Sequence, residues 1–344
     1  MLIRARAPLR LGLAGGGTDL SPYCDQHGGA VLNATIDLYA YATLEPVAGS
    51  QTTFIARDTN VEETIDADPS GLTIEGPTVL HRAVYRRIVM EFRGGTPLPC
   101  RLTTFCEAPP GSGLGSSSTM VVAMVKAFVE LLGLPLGEYD IARLAFEIER
   151  LDAGLEGGRQ DQYAATFGGF NFIEFYEHNR VVVNPLRVKN WILSELEASI
   201  ILFHTGVSRS SAAIIAEQTR NLVSNSNKPM QAMHQLKADA FTMKEAMLKG
   251  DFRTLAAVLN RSWQAKKETA SSISNDRINY LFEAAMGAGA VAGKVSGAGG
   301  GGYITFMTDP LARIDVMRRL AQEEGEVITC SFTKRGSEGW RIDA

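Results

Sequence analysis

The stretch Pro109-Pro110-Gly111-Ser112-Gly113-Leu114-Gly115-Ser116-Ser117-Ser118-Thr119 follows a strand-like run, Arg101 to Cys106, and leads into an apolar segment from Met120. The length and Ala/Val/Leu content of that segment suit a buried helix. Strand, glycine loop, helix is the layout of an anion site. Glycines 111, 113 and 115 let the backbone turn sharply and approach a ligand with no Cβ in the way. The hydroxyl residues sit where unpaired N–H groups of the new helix point outward with the positive end of its dipole. One serine would suffice as an N-cap. Three alternate glycines and four hydroxyls exceed that need, so Pro110, Gly111, Ser112, Gly113, Leu114, Gly115, Ser116, Ser117 and Ser118 are expected to cradle phosphate. No Gly-Lys-Ser/Thr follows, which excludes a Walker A loop, and Gly-x-Gly-x-Gly is not the dinucleotide fingerprint.

Working outward, the chain adds further glycine clusters with charge beside them. Leu9 to Leu13 alternates as a half-buried strand, with Arg10 on the face opposite the leucines, and runs into Gly15-Gly16-Gly17-Thr18-Asp19. A cation and a carboxylate bracketing an open backbone make a polar ligand pocket. Gly154 to Gln162 is again glycine-rich and contains Glu156, Arg159 and Asp161; it follows an apolar helical face formed by Ile141, Leu144, Ala145, Ile148 and Leu151, with Glu147 and Glu149 at or beyond its edge. His204-Thr205-Gly206-Val207-Ser208-Arg209-Ser210-Ser211 offers hydroxyls and an arginine at a helix start, suited equally to a cap or to a phosphate. Lys294 to Gly302 ends in four consecutive glycines, entropically costly unless the backbone must approach something closely.

Pro-x-Gly-x-Gly-Leu-Gly-Ser-Ser resembles the central ATP loop of the GHMP kinases, the family of galactokinase, homoserine kinase and mevalonate kinase. Arg10 to Asp19 resembles the first motif of its sugar-specific members, and Gly297-Ala298-Gly299-Gly300-Gly301 the third. Gly16 and Gly17 stand where galactokinases carry an acidic residue and a histidine, which leaves room for a larger sugar; Gly-Gly-Gly-Thr-Asp and Thr-Gly-x-Ser-Arg are similar to the heptose-phosphate kinase branch. The resemblance implies an α+β fold, with an N-terminal domain like ribosomal protein S5 domain 2 (residues 1–185) and a ferredoxin-like C-terminal domain (186–344). It implies ATP and Mg²⁺, the metal held by Ser117 and Glu149, with Glu147 and Glu156 open as alternatives. Asp161 would take the acceptor's proton, and Arg10 would face it and stabilise charge on the moving group. Asp19, Thr18 and Gly17 would meet the sugar, and Arg159 and Arg209 a phosphate at its far end. The expected acceptor is the anomeric hydroxyl of D-glycero-D-manno-heptose 7-phosphate. A fucose- or other hexose-1-kinase and a non-catalytic sugar and ATP sensor are the alternatives.

Composition sets the remaining expectations. The chain has 344 residues and a net charge of −4 with scattered basic residues, which gives no footprint for nucleic acid. Its four cysteines form no C-x-x-C pair, so neither a zinc site nor a disulfide framework is expected. The charged first ten residues lack a signal-peptide core, and no apolar run approaches the ~20 residues of a membrane span. A soluble cytoplasmic enzyme, open to forming a homodimer, is expected.

Overall fold

The computed structural model describes residues 1–207, 211–224 and 227–343. In chain order the first half runs β1 (Leu2–Ala14), α1 (Tyr23–His27), β2 (Gly29–Pro46), β3 (Gln51–Ala56), β4 (Val61–Asp66), α2 (Val79–Arg93), β5 (Cys100–Cys106), α3 (Ser116–Leu132), α4 (Glu138–Glu147), α5 (Gln160–Phe167), β6 (Phe170–Phe175) and β7 (Val181–Pro185). The second half runs α6 (Asn190–Ser199), β8 (Ile200–His204), α7 (Ser211–Val223), α8 (Asn227–Lys249), α9 (Phe252–Lys267), α10 (Asp276–Gly287), β9 (Ala290–Val295), β10 (Tyr303–Thr308), α11 (Arg313–Leu320), β11 (Glu326–Ile328) and β12 (Glu338–Ile342).

The first sheet has the order β12-β1-β2-β5-β3-β4, with β6 and β7 branching from β2. Only β3 and β5 pair in parallel. The long strand β2 makes the branch: Gly29 to Ala34 pairs with β6 and Ala40 to Pro46 with β5, while β1 lies along both parts. Between Pro8 and Arg10 the β1–β2 register shifts. Such an irregularity re-aims the next side chain along the strand, and that side chain is Arg10. Helix α3 packs against β1, β2 and β12 and against α2, α4 and α5. Close burial is what the apolar run of this helix requires, and Met120 to Val125 are all buried, with Lys126 and Glu130 left at the partly exposed edge. Each large side chain so buried contributes about 1.5–3 kcal/mol, which anchors the glycine loop at the helix's N-terminus.

The second sheet is antiparallel, β11-β8-β10-β9. Ile201, Phe203, Ile304 and Phe306 pack with α10 and α11 residues Leu281, Ala285, Val316 and Leu320 in its own core. The expected helical pair broken at Gly250-Asp251 is α8 and α9, and Leu236, Met243, Met247, Leu255 and Leu259 are buried as core. The run from Val327 to Thr333, alternating enough to read as one strand, divides. After Ile328 it leaves the second sheet, and the Ser331 carbonyl accepts the Asp37 N–H of β2 at 2.9 Å. Strand β12 then pairs with β1, from Leu2 opposite Ile342 to Arg6 opposite Glu338. Among the described residues no helix is long and apolar enough to cross a membrane.

Candidate active site

A cavity of about 310 Å³ opens at the N-terminus of α3, lined by residues of both halves. Seven of the nine loop residues expected to meet phosphate line it: Pro110, Gly111, Gly113, Gly115, Ser116, Ser117 and Ser118. Ser112 and Leu114 face inward instead, their carbonyls accepting the Tyr303 and Arg10 N–H groups at 2.9 and 3.1 Å. The loop thereby rests on β10 and β1. Gly113 has φ +79°, and a Cβ there would lie 2.5 Å from the Ser296 carbonyl oxygen. The loop before α3 and the glycine cluster of residues 294–302 therefore touch backbone to backbone, which accounts for glycine in both.

Arg10 emerges from the register shift of β1, 3% exposed. Its Nε donates to Asp161 Oδ1 at 2.7 Å and its Nη1 to the Gly113 carbonyl at 2.5 Å. Asp161 stands in the first turn of α5 against the loop, its carboxylate 3.2 Å from where a Gly115 Cβ would be. The two residues assigned to proton transfer and charge stabilisation are thus one ion pair at the loop's edge.

Glu149 is fully buried although sequence periodicity puts it at the edge of an apolar face, and Leu151, expected in the core, is 67% exposed. The cause is a wide π turn over Ile148–Asp152 at the end of α4, which rotates the helical face at that point. Ser117 Oγ donates to Glu149 Oε1 at 2.8 Å, Gln162 Nε2 donates to Oε2 at 2.6 Å, and Arg150 Nη1 stands 3.2 Å from Oε1. Glu147 points elsewhere, to Arg87 at 3.3 Å.

Asp19 is buried at the start of α5. Its Oδ2 accepts the Arg159 and Gln160 N–H groups at 2.9 and 3.1 Å, and its Oδ1 accepts the Gly17 N–H at 3.1 Å. Any side chain at Gly158 would collide with this carboxylate.

Against known families, residues 80–169 match the GHMP kinases N terminal domain and residues 243–327 the GHMP kinases C terminal domain. A D-glycero-alpha-D-manno-heptose 7-phosphate kinase of Campylobacter jejuni is 48% identical over 99% of both chains. The chain belongs to the GHMP kinases. It is an ATP-dependent phosphotransferase. A solved structure described as a D-glycero-D-manno-heptose 1-phosphate kinase from Bacteroides thetaiotaomicron superimposes with a TM-score of 0.85 at 43% identity, over 99% of this chain and 100% of that one. A bifunctional L-fucokinase/L-fucose-1-P guanylyltransferase of Bacteroides fragilis is 24% identical over 93% of this chain and 36% of its own length.

Within this GHMP kinase, two residues expected at the sugar stand apart from the cavity. Thr18 is fully buried, its hydroxyl donating to the Gly15 and Ala30 carbonyls. Arg159 donates to Ser21 Oγ and Asp25 Oδ1, each at 3.1 Å, and to the Tyr176 carbonyl at 3.3 Å. Both close the chain around α1. Arg209 lies outside the described residues. Three other residues stand beside Arg10 at the cavity and the small recess that adjoins it. Gln160 Oε1 is buried with no hydrogen-bond partner among the described residues. Lys266 and Lys294 send their amines to the Gly16 and Gly12 carbonyls at 3.2 and 2.8 Å. Burial pushes them down to about 8 and about 7, with repulsion from Arg10 adding to it. Sequence carries little signal for them, because single lysines on a helix and a strand read as solvated. Ala56, Pro77, Leu80 and Ala108 give the cavity an apolar arm, beside His81 and Thr104, which hydrogen-bond each other at 2.9 Å.

Proposed function

We propose that this kinase moves the γ-phosphoryl group of ATP to the anomeric hydroxyl of D-glycero-D-manno-heptose 7-phosphate, giving the 1,7-bisphosphate and ADP for a nucleotide-activated heptose of surface polysaccharide. What carries this reading is 48% identity, end to end, with a heptose 7-phosphate kinase. The site's chemistry agrees with it. Phosphoryl transfer needs in-line positioning and neutralisation of charge more than covalent help. The open N–H groups at the start of α3 suit the polyphosphate, and the apolar arm from Ala56 to Ala108 suits the base. Asp161 accepts the acceptor's proton as its oxygen bonds to phosphorus and the bond to the β-phosphate breaks. Arg10, held between Asp161 and Gly113, faces the charge that develops. Gln160 Oε1 is an acceptor for a sugar hydroxyl.

Ser117 and Glu149 fit Mg²⁺: a hydroxyl and a carboxylate 2.8 Å apart beside the phosphate loop supply the hard oxygens it prefers. No group of three or more His, Cys, Asp or Glu among the described residues could hold a metal. Phosphate oxygens and water would complete the sphere. When bound, the ion would neutralise charge on the phosphates.

In this reading residues 1–185, completed by β12, carry the phosphate loop, the rest of residues 186–344 close the cleft, and the enzyme works in the cytoplasm on small molecules alone, with the homodimer an open alternative. Light scattering checks the assembly. ADP release with Mg-ATP across heptose 7-phosphate, mannose, fucose, galactose and mevalonate tests the activity. Preference for heptose 7-phosphate, lost in Asp161→Asn, is the expected result. Preference for an unphosphorylated hexose refutes the acceptor, and silence on all five refutes turnover in favour of a sensor.

A further inference from the structure

Among the described residues three arginine and lysine side chains line the cavity: Arg10, Arg150 and Lys266. Arg10 is committed to Asp161. Arg150 stands 3.2 Å from Glu149 Oε1 and donates to the Leu155 and Gly158 carbonyls. Lys266 makes no such ion pair among the described residues. Its amine, which has three protons to give, makes one hydrogen bond, to the Gly16 carbonyl at 3.2 Å. The carboxylate it feels is Asp19, whose oxygens are already taken by backbone N–H groups.

Lys294 stands behind it. Its amine likewise has one bond, to the Gly12 carbonyl at 2.8 Å. Lys294, Lys266, Arg10, Gly15, Gly16 and Gln160 border a recess of about 20 Å³ that shares Arg10, Gln160 and Lys266 with the main cavity. That is room for about one water, so an anion would lie on the cavity side, against Lys266. Two buried amines with no carboxylate at ion-pair distance among the described residues are costly to keep charged. Gln160, whose Oε1 has no partner among the described residues, borders the same recess; as an acceptor it suits a hydroxyl of the ligand and not its phosphate. Gly17 leaves it clear: a Cβ there would come 2.9 Å from Lys266 Nζ.

We infer that Lys266, backed by Lys294, is the subsite for the phosphate that the acceptor already carries. The inference rests on the proposed sugar-phosphate activity and replaces Arg159, whose guanidinium is spent on Asp25, Ser21 and Tyr176. Lys266 sets which acceptor is chosen, and Arg10 serves the moving phosphoryl group. The two lysines also tie down the β1–α1 loop, a structural role that would affect all acceptors alike.

Steady-state kinetics of the wild type, Lys266→Met and Lys266→Arg on heptose 7-phosphate and on the same heptose without its phosphate separate these roles. A charge-assisted contact of ordinary strength corresponds to about a 10- to 150-fold rise in KM for heptose 7-phosphate in Lys266→Met. Any loss on the free heptose, from the loosened β1–α1 loop, should be at least about fivefold smaller than the loss on heptose 7-phosphate, and Lys266→Arg should recover part of the latter. Equal losses on both acceptors overturn the inference. If the wild type prefers the free heptose, the acceptor assignment fails by itself, and calorimetric titration of inorganic phosphate into nucleotide-free protein decides the subsite. Binding that is lost in Lys266→Met keeps an anion site there; no binding, or binding unchanged in the variant, removes it.

Discussion

Replacing Asp161 with asparagine keeps the shape of the carboxylate and removes its charge, so it separates proton transfer from positioning. Arg10 reaches Asp161 Oδ1 with Nε and Nη2, both at 2.7 Å, and keeps a further bond to Gly113 at 2.5 Å. An uncompensated buried charge costs about 3–5 kcal/mol. Here an amide oxygen remains as acceptor and the Asp161 side chain is 18% exposed, so water screening reduces the loss to roughly 1–3 kcal/mol. The melting temperature should fall by about 2–6 °C, leaving the protein folded at 25 °C. Loss of a general base costs about 10²–10⁴ in kcat. KM for ATP should hold or decrease, because Arg10 without its counter-ion offers more charge to the phosphates. ADP release at saturating substrates, with a melting curve on the same sample, reads all three quantities. A folded variant with kcat within about tenfold of the wild type would show that the acceptor's proton does not pass to Asp161.

Glu149→Gln removes the charge and one of the two acceptor oxygens that meet Ser117 and Gln162, and should raise the Mg²⁺ concentration needed for half-maximal rate about tenfold or more, read by titrating metal at fixed ATP. Gly113→Ala forces a side chain onto a left-handed backbone and onto the Ser296 carbonyl. KM for ATP should rise about tenfold or more, with a modest fall in melting temperature. The buried lysines give a pH dependence whose sign can be worked out. Lys266 and Lys294 are lowered to about 8 and about 7 from 10.5, among Arg10, Asp19 and each other. Between those values the unfolded chain binds more protons than the folded one, so the unliganded protein gains stability as pH rises from about 7 to 10. A phosphate bound there favours the protonated amines, so acceptor affinity should weaken over the lower part of the same range. Melting curves and KM measured from pH 6.5 to about 9.5 check both slopes.

The loop before α3 was legible because its function and its backbone make the same demand: glycine where no Cβ fits, and hydroxyls where a helix begins. The motifs draw attention to Arg10, Asp19, Glu149 and Asp161, but not to how they are held. Glu149 reaches the site through a π turn, which no hydrophobic period announces. Thr18 and Arg159 show the opposite failure, since polar residues inside a motif can be consumed in holding the motif together. Lys266 and Lys294 come from α9 and β9, some 250 to 280 residues after the glycine triplet, and only the packing of α9 and β9 against the first half brings them there. The apolar arm at Leu80 was hidden in the same way, because a pocket wall is built from surfaces that in sequence look like ordinary core.

Strand β12 joins the two ends of the molecule: Glu338 and Arg6 form an ion pair across a separation of 332 residues. During synthesis the outer edge of β1 therefore stays open until residue 342 has left the ribosome. An unpaired edge strand is a template for another chain. Removing the last dozen residues, or a tag that holds them away, would leave the catalytic residues in place and yet present Leu2 to Arg6 to every nascent copy nearby. The first symptom would be poor recovery of soluble protein, with normal turnover in whatever survived.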